Sequence, residues 1–217
     1  MQYPQGRILI FAKAPVPGYA KTRLIPVLGE QGAAHLQSKL IRKTLGMAVE
    51  SRLAPVQLWA CGADALFAFD EYRSAIHGEV HLQCGDDLGA RMQQALEQTL
   101  RVAEFSVLIG TDCPMMDSAY LEHACTALAG GCDVVLGPAE DGGYVLIGLR
   151  RCHAQLFENI PWGTAEVLAL TRERLDALGW KRQELATHWD VDHAQDYARL
   201  IALDASFDVT DPALNIY

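Results

Sequence analysis

The feature that most constrains this chain is a regular alternation of short apolar runs with longer segments of helical periodicity. Residues 7–14, 57–61, 80–84 and 105–109 read as strands, and the compact apolar runs among them have the pattern of strands covered on both faces. Between them, residues 29 to about 52 place Leu36, Leu40, Ile41, Leu45, Met47 and Ala48 at helical spacing, and a shorter helix is predicted over 64 to about 74. A further helix starts after Asp86 or Asp87, either a natural N-cap, and carries Leu88, Met92, Ala95, Leu96, Thr99 and Leu100 on one face. Asp117 or Ser118 caps another through Leu128. Strand and helix repeated in this way predict a mainly parallel sheet with right-handed crossovers and helices on both faces.

The repeat breaks in the second half. Residues 132–136 and 144–149 both read as strands, yet the segment between them is too short for a parallel crossover, so a local antiparallel or mixed region is expected. A helix follows with Val167, Leu168, Thr171, Leu175 and Leu178 inward and Gly179 at its end, then a last short strand over 183–187 and a helix over 193 to about 203. No linker, repeat or low-complexity segment interrupts the 217 residues, so one domain over 1–217 is expected.

Composition narrows the function classes. A formal charge of -9 argues against a nucleic-acid binder, which needs a basic face to neutralise phosphates. It does not argue against small phosphorylated ligands, for which a few local cations suffice. The six cysteines at 61, 84, 113, 125, 132 and 152 form no Cys-x-x-Cys pair and no zinc-like spacing. With no signal segment, they read as reduced thiols of a cytoplasmic protein. No apolar run approaches the roughly 20 residues needed to span a bilayer.

Several groups could carry chemistry. The first strand runs into a loop, PVPGYAKTRL, in which Pro15 and Pro17 fix φ and Gly18 permits conformations closed to other residues. Lys21 and Arg23 in that loop could face a diphosphate, or could be a solvated basic pair; the preshaped path favours the phosphate reading. The loop is neither a Walker sequence nor a Gly-x-Gly-x-x-Gly fingerprint.

Asp112, after the strand at 105–109, lies where open α/β sheets bind ligands, although within its own octapeptide a turn cap before Pro114 is the simpler reading. It could hold Mg²⁺, which takes one or two carboxylates together with substrate phosphates. The Asp190-x-Asp192 pair could supply the second carboxylate, but Asp192 followed by Gln195 also resembles a capping box. Asp141-Gly142-Gly143-Tyr144 fits either a ligand-contacting loop or a hairpin turn. Asp87 and Arg91, one helical turn apart, could pair on the surface for about 0.3 to 0.5 kcal/mol. Trp162 beside Gly163 could stack on a ligand ring or plug the core, and the core reading is favoured. The seven histidines are scattered, and none forms a nucleophile-base constellation with a serine or cysteine.

Taken together, FAKAPVPGYAKTRL (11–24), GDDLGARM (85–92), IGTDCP (109–114), EDGGYVLIGL (140–149), PWGT (161–164) and WDVDHAQDYARL (189–200) resemble bacterial glycosyltransferase-like proteins of the GT-A, nucleotide-diphospho-sugar transferase superfamily. The resemblance implies a single-domain GT-A-like α/β three-layer sandwich with a mixed, mainly parallel sheet and a nucleotide crevice in its N-terminal half. It implies that Pro15, Gly18, Lys21, Arg23, Asp87 and Arg91 surround the nucleotide and its phosphates. It further implies that Asp112 and Asp192 hold Mg²⁺ or Mn²⁺, that Asp112, Lys21 and Asp141 carry catalysis, and that Asp141, Gly142, Gly143, Tyr144 and Trp162 meet a small acceptor.

Two departures stand out: the early Asp-x-Asp of many glycosyltransferases is absent, and His193 stands where many relatives carry Thr. The Ala20-Lys21-Thr22-Arg23-Leu24 loop also resembles that of guanylyltransferases which activate a phosphorylated hydroxy acid. Nucleotidyl transfer from a nucleoside triphosphate therefore rivals sugar transfer, with a non-catalytic nucleotide- or partner-binding domain as a third reading. The geometric expectation common to both enzymes is that Asp112 and Asp192 reach one metal, facing Lys21 and Arg23 across a crevice.

Overall fold

In a computed structural model that describes residues 1–62, 68–72, 76 and 80–210, the apolar runs become the strands of one mixed sheet. These are β1 (Gly6–Lys13), β2 (Val56–Cys61), β3 (Val80–Leu82), β4 (Phe105–Gly110), β5 (Val134–Pro138), β6 (Tyr144–Leu149) and β7 (Arg182–Glu184), in the order β3-β2-β1-β4-β6-β5-β7. The α-helices among the described residues are α1 (Ile25–Glu50), α2 (Leu88–Leu100), α3 (Ser118–Ala129), α4 (Val167–Ala177) and α5 (Ala194–Leu203). β1 pairs in parallel with β2 and β4, β2 with β3, and β5 with β7. β6 runs antiparallel to both β4 and β5, as the short connection into Tyr144 requires.

Successive side chains of a strand point to opposite faces, and β1 shows how this builds three layers. Ile8, Ile10 and Ala12 join a core with Ile41 and Leu45 of α1 and Leu121 and Ala124 of α3. Leu9 and Phe11 face the other way, into a core with Met92 and Leu96 of α2 and Leu168 and Leu175 of α4. β1, β4 and β5 are buried on both faces and read as apolar runs for that reason, whereas the edge strands β3 and β7 are more exposed. The fold is thus the expected α/β three-layer, GT-A-like sandwich with a mainly parallel sheet.

A third core matters most for the site. Leu36 and Leu40 on the remaining face of α1 pack with Trp189, Val191, Tyr197 and Leu200, which fastens α5 and the segment before it to the N-terminal half. The chain leaves β1 for β2 on one side and reaches β4 on the other, so the carboxyl ends of β1 and β4 flank the topological switch point.

Some boundaries differ from those read in the sequence. Helical turns begin at Ile25 ahead of Pro26, but Gly29 has φ 68° and ψ 171°, so the continuous helix lies beyond it. The last strand is Arg182–Glu184 rather than 183–187, with a separate bridge between Ala139 and His188. The third strand stops at Leu82 rather than at 84. The helix expected over 64–74 lies mostly outside the described residues, and its described part is a 3-10 turn, Asp70–Tyr72. All six cysteines are free thiols, with Cys113, Cys125 and Cys132 buried and Cys84 exposed. No described helix is long and apolar enough to cross a membrane.

Candidate functional site

The loop after β1 turns back on itself through bonds from the Tyr19 and Ala20 amides to the Val16 carbonyl, 3.0 and 3.1 Å. Gly18 takes φ 77° in that turn, and Lys21, not a glycine, takes the left-handed conformation at φ 47°, ψ 45°. Such a conformation costs roughly 1 to 3 kcal/mol and persists only where the surroundings impose it. Here it directs the Lys21 side chain inward, leaving it 4% exposed.

The Lys21 ammonium sits among three oxygens. It lies 2.7 Å from Asp112 Oδ1 and 3.6 Å from Asp192 Oδ1, and it donates to the Val191 carbonyl at 2.7 Å. Arg23 Nη1 reaches the other oxygen of Asp192 at 2.8 Å from an exposed position. Asp112 and Asp192 therefore lie on one face of the molecule and converge on a single cationic point. That point is held by a lysine, so the cations touch the carboxylates instead of facing them across open space.

Two devices fix this geometry. The Val191 amide donates to the Asp112 carbonyl at 2.9 Å, tying the segment before α5 to the end of β4. Buried Gln37 on α1 donates from Nε2 to Thr111 Oγ1 at 3.2 Å and to the Lys13 carbonyl at 3.4 Å, linking the ends of β1 and β4 across the switch point. Residues 189–192 alternate, with Trp189 and Val191 buried in the third core and Asp190 and Asp192 turned to the other side. Asp192 is not the cap that its spacing to Gln195 suggested. The capping box is formed by His193 and Asp196, whose Oδ2 accepts from the His193 amide at 2.6 Å and from the Asp192 amide at 3.1 Å. The register is one residue later than expected, which leaves the Asp192 carboxylate to the cations.

Beside the carboxylates opens a cavity of about 350 Å³ walled by Phe11, Leu88, Met92, Tyr144 and Trp162 and by the acids Asp112, Asp141, Asp190 and Asp192. A smaller cavity of about 250 Å³ is lined by Lys13, Lys21, Thr22, Arg23, Gln37, Asp112 and Asp192. The two share Lys13, Gln37, Asp112 and Asp192. The acidic concentration shows in Asp190, half-buried, whose carboxyl is pushed up to about 6 by burial and then by Asp141, Asp192 and Asp112.

The 139–144 loop combines a tight turn with a place on the cavity wall. Asp141 Oδ1 accepts from the Gly143 amide at 2.8 Å in a tight turn into β6, while Asp141, Gly143 and Tyr144 line the larger cavity. Gly142 has φ 89°, and a Cβ there would lie 2.4 Å from the Ala165 carbonyl oxygen. Trp162 likewise packs against the core and lines the cavity. Its indole packs so closely on Gly89 that a Cβ there would lie 2.4 Å from Nε1, and it meets the Tyr144 ring edge-on at 6.4 Å while lining the cavity. Burial pushes the Tyr144 hydroxyl well above its ordinary range.

Other expected residues fall outside the cavities. Pro15 lines a separate groove with Pro17, Leu28 and His35, and Gly18 sits in the loop turn and is not among the residues lining either cavity. Asp87 caps α2 by accepting from the Ala90 amide at 2.8 Å, and Arg91 Nε donates to the Gly85 carbonyl at 3.0 Å. The two make no ion pair with each other within 4.0 Å. Sequence reasoning chose Asp192 over Asp190 and passed over Lys13 and Gln37. The alternation Trp189-Asp190-Val191-Asp192 was the one local signal that could have brought Asp190 in.

Among the described residues, no three His, Cys, Asp or Glu side chains come together as a metal cage. The donor set still fits a hard divalent cation. Two carboxylates and a backbone carbonyl already surround a positive charge at one point, and Mg²⁺ commonly takes one or two carboxylates and completes its shell with water and substrate phosphates.

The chain matches a family model over residues 44–164, described as an uncharacterized protein conserved in bacteria, DUF2064. Among solved structures it is similar to a candidate nucleotide-diphospho-sugar transferase from Desulfovibrio desulfuricans G20, with 29% identity, TM-score 0.84, and 93% of this chain and 88% of that chain covered. It shares its fold with CMP:2-keto-3-deoxy-manno-octonic acid synthetase complexed with CTP, at 14% identity, TM-score 0.59, and 93% and 98% coverage. It also shares the fold of Rv0371C from Mycobacterium tuberculosis H37Rv in complex with manganese, at 18% identity, TM-score 0.50, and 91% and 98% coverage. No curated protein matches the chain.

Proposed function

The chain belongs to the DUF2064 family, and from the geometry of its cavities we propose that it is a metal-dependent transferase using a nucleotide-diphospho-sugar donor. One observation carries this reading: Asp112 and Asp192 converge on a single cationic point at the switch-point crevice, on the wall between two cavities. The likeness to the candidate transferase from Desulfovibrio supports the donor class, and the manganese-bound relative of the same fold supports a divalent cation.

In this reading Asp112 and Asp192 hold Mg²⁺ or Mn²⁺, which when bound supplies Lewis-acid neutralisation of a departing diphosphate. Lys21 and Arg23 pair with the same carboxylates and hold them in position, which spares the site reorganisation as charge develops. The apolar wall of Phe11, Leu88 and Met92 excludes water from the donor. Trp162 and Tyr144 flank the acceptor, and Asp141, whose one oxygen is anchored by the Gly143 amide, keeps the other for the acceptor hydroxyl. The acceptor is small, and the place of action is the cytoplasm.

Nucleotidyl transfer is the second reading, favoured by the similarity of the Ala20–Leu24 loop to guanylyltransferases. The discriminating experiment is a thermal-shift screen of nucleotide sugars and nucleoside triphosphates with Mg²⁺ or Mn²⁺, followed by a pyrophosphate-release assay. Stabilisation by nucleoside diphosphates and their sugars supports sugar transfer. Stabilisation by triphosphates with pyrophosphate release would replace it with nucleotidyl transfer.

A further inference from the structure

We propose that Lys13 is the residue that receives the donor's diphosphate, an inference that rests on the nucleotide-using reading of the site. Three cations border the smaller cavity, and they are not equivalent. The Lys21 ammonium is committed to the Asp112 carboxylate and the Val191 carbonyl, both at 2.7 Å, with Asp192 at 3.6 Å. Arg23 is engaged with Asp192 at 2.8 Å. The charges of both are largely neutralised by the carboxylates they touch.

Lys13 differs on each count. It is exposed, at the last position of β1, beside the switch point. Among the described residues its ammonium meets no carboxylate within 4.0 Å and rests 4.2 Å from the centroid of the Tyr19 ring. A ring face holds a cation without neutralising its charge, so the full positive charge stays available to a phosphate. Lys13 also lies on the wall that the two cavities share, together with Asp112 and Asp192. Its backbone is located relative to those acids by Gln37, which bonds both the Lys13 carbonyl and Thr111, the neighbour of Asp112. A diphosphate entering this acidic surround needs a cation that is not already spent, and Lys13 meets that condition.

The test is isothermal titration of the full chain with inorganic pyrophosphate and with a panel of nucleoside diphosphates, in the presence of Mg²⁺ or Mn²⁺. Lys13→Gln should raise the Kd for these ligands about tenfold, the loss of one charge-assisted contact, and flatten the salt dependence of binding. Lys13→Arg should return the Kd to within about threefold of the unaltered protein, because it restores the charge and its donors. The melting temperature of both variants should stay close to that of the parent, since the exposed ammonium carries no buried bond. Unchanged diphosphate affinity in Lys13→Gln overturns the inference while leaving the nucleotide reading in place. Failure of the unaltered protein to bind any diphosphate with either metal overturns both.

Discussion

Replacing Lys21 by Gln removes a positive charge that touches both Asp112 and Asp192. Its ammonium contacts Asp112 and the Val191 carbonyl at 2.7 Å and Asp192 at 3.6 Å, from a side chain only 4% exposed. Hydrogen bonds involving charged groups contribute about 1.5 to 3 kcal/mol each. The carboxylates are 43% and 36% exposed, so water re-solvates them once the lysine is gone, and the sum must be discounted. A net loss of about 2 to 3 kcal/mol remains. For a domain of this size it lowers the Tm by roughly 4 to 12 °C, at about 2 to 4 °C per kcal/mol.

The same substitution leaves Asp112 without its counter-ion and Asp192 paired with Arg23 alone, which makes the point more attractive to a divalent cation. A metal present at 100 times its Kd stabilises by about 2.7 kcal/mol, enough to recover most of that loss. Scanning fluorimetry with and without Mn²⁺ at millimolar concentration is the assay. Lys21→Gln should melt early without metal and gain more from Mn²⁺ than the parent does. A Tm within about 1 °C of the parent would refute the ion-pair argument, and an equal Mn²⁺ response in both proteins would refute the convergence of the carboxylates on one cation site.

Two further outcomes bear on the surroundings of the site. Gly142→Ala forces a Cβ to within 2.4 Å of the Ala165 carbonyl at φ 89°, and should cost about 1 to 3 kcal/mol in urea denaturation; an unchanged midpoint would show that the Asp141 loop is not held against Ala165. Glu184 is held below the usual carboxylate range first by its hydrogen bonds to Arg172, at 2.9 and 2.5 Å, and also by Arg182 at 3.2 Å. A carboxyl with a lowered folded-state pKa contributes stability that is present above its unfolded pKa and is lost as pH falls through the folded one. The destabilisation by Glu184→Gln should therefore be seen at neutral pH and fade below the ordinary carboxylate range, and a pH-independent penalty would contradict the assignment.

What was legible in the sequence follows from the reach of each interaction. β1 and β4 show as unbroken apolar runs because both of their faces are covered. The short 139–143 connection revealed the antiparallel β6 because five residues can only turn back. Asp112 was visible because a carboxylate at the end of a buried strand has few other places to be.

The register of the last cap was not visible. His193 is a less usual N-cap than aspartate, and the Asp192–Gln195 spacing mimics a box that the chain forms one residue later, through Asp196. Asp190 is named in the sequence beside Asp192, but its place among the acids of the cavity is not legible there, because its side is set by Trp189 and Val191 packing on Leu36 and Leu40, some 150 residues earlier in the chain. The loop sequence points Lys21 toward a phosphate, but its left-handed backbone and its bonds to residues 112, 191 and 192 depend on contacts that no local pattern encodes. Gln37 and Lys13 escaped notice for the same reason: a glutamine inside an apolar helix and a lysine ending a strand look ordinary until the ends of β1 and β4 are brought together.

In the proposed function Asp112 and Asp192 form one metal-assisted nucleotide site. Isothermal titration of Asp112→Asn with a nucleoside diphosphate that binds the parent, in the presence and absence of Mg²⁺, tests it most directly. The parent should bind more tightly with the metal, and Asp112→Asn, still folded by circular dichroism, should lose that metal-dependent gain. Metal-dependent binding that is unchanged in Asp112→Asn would contradict it.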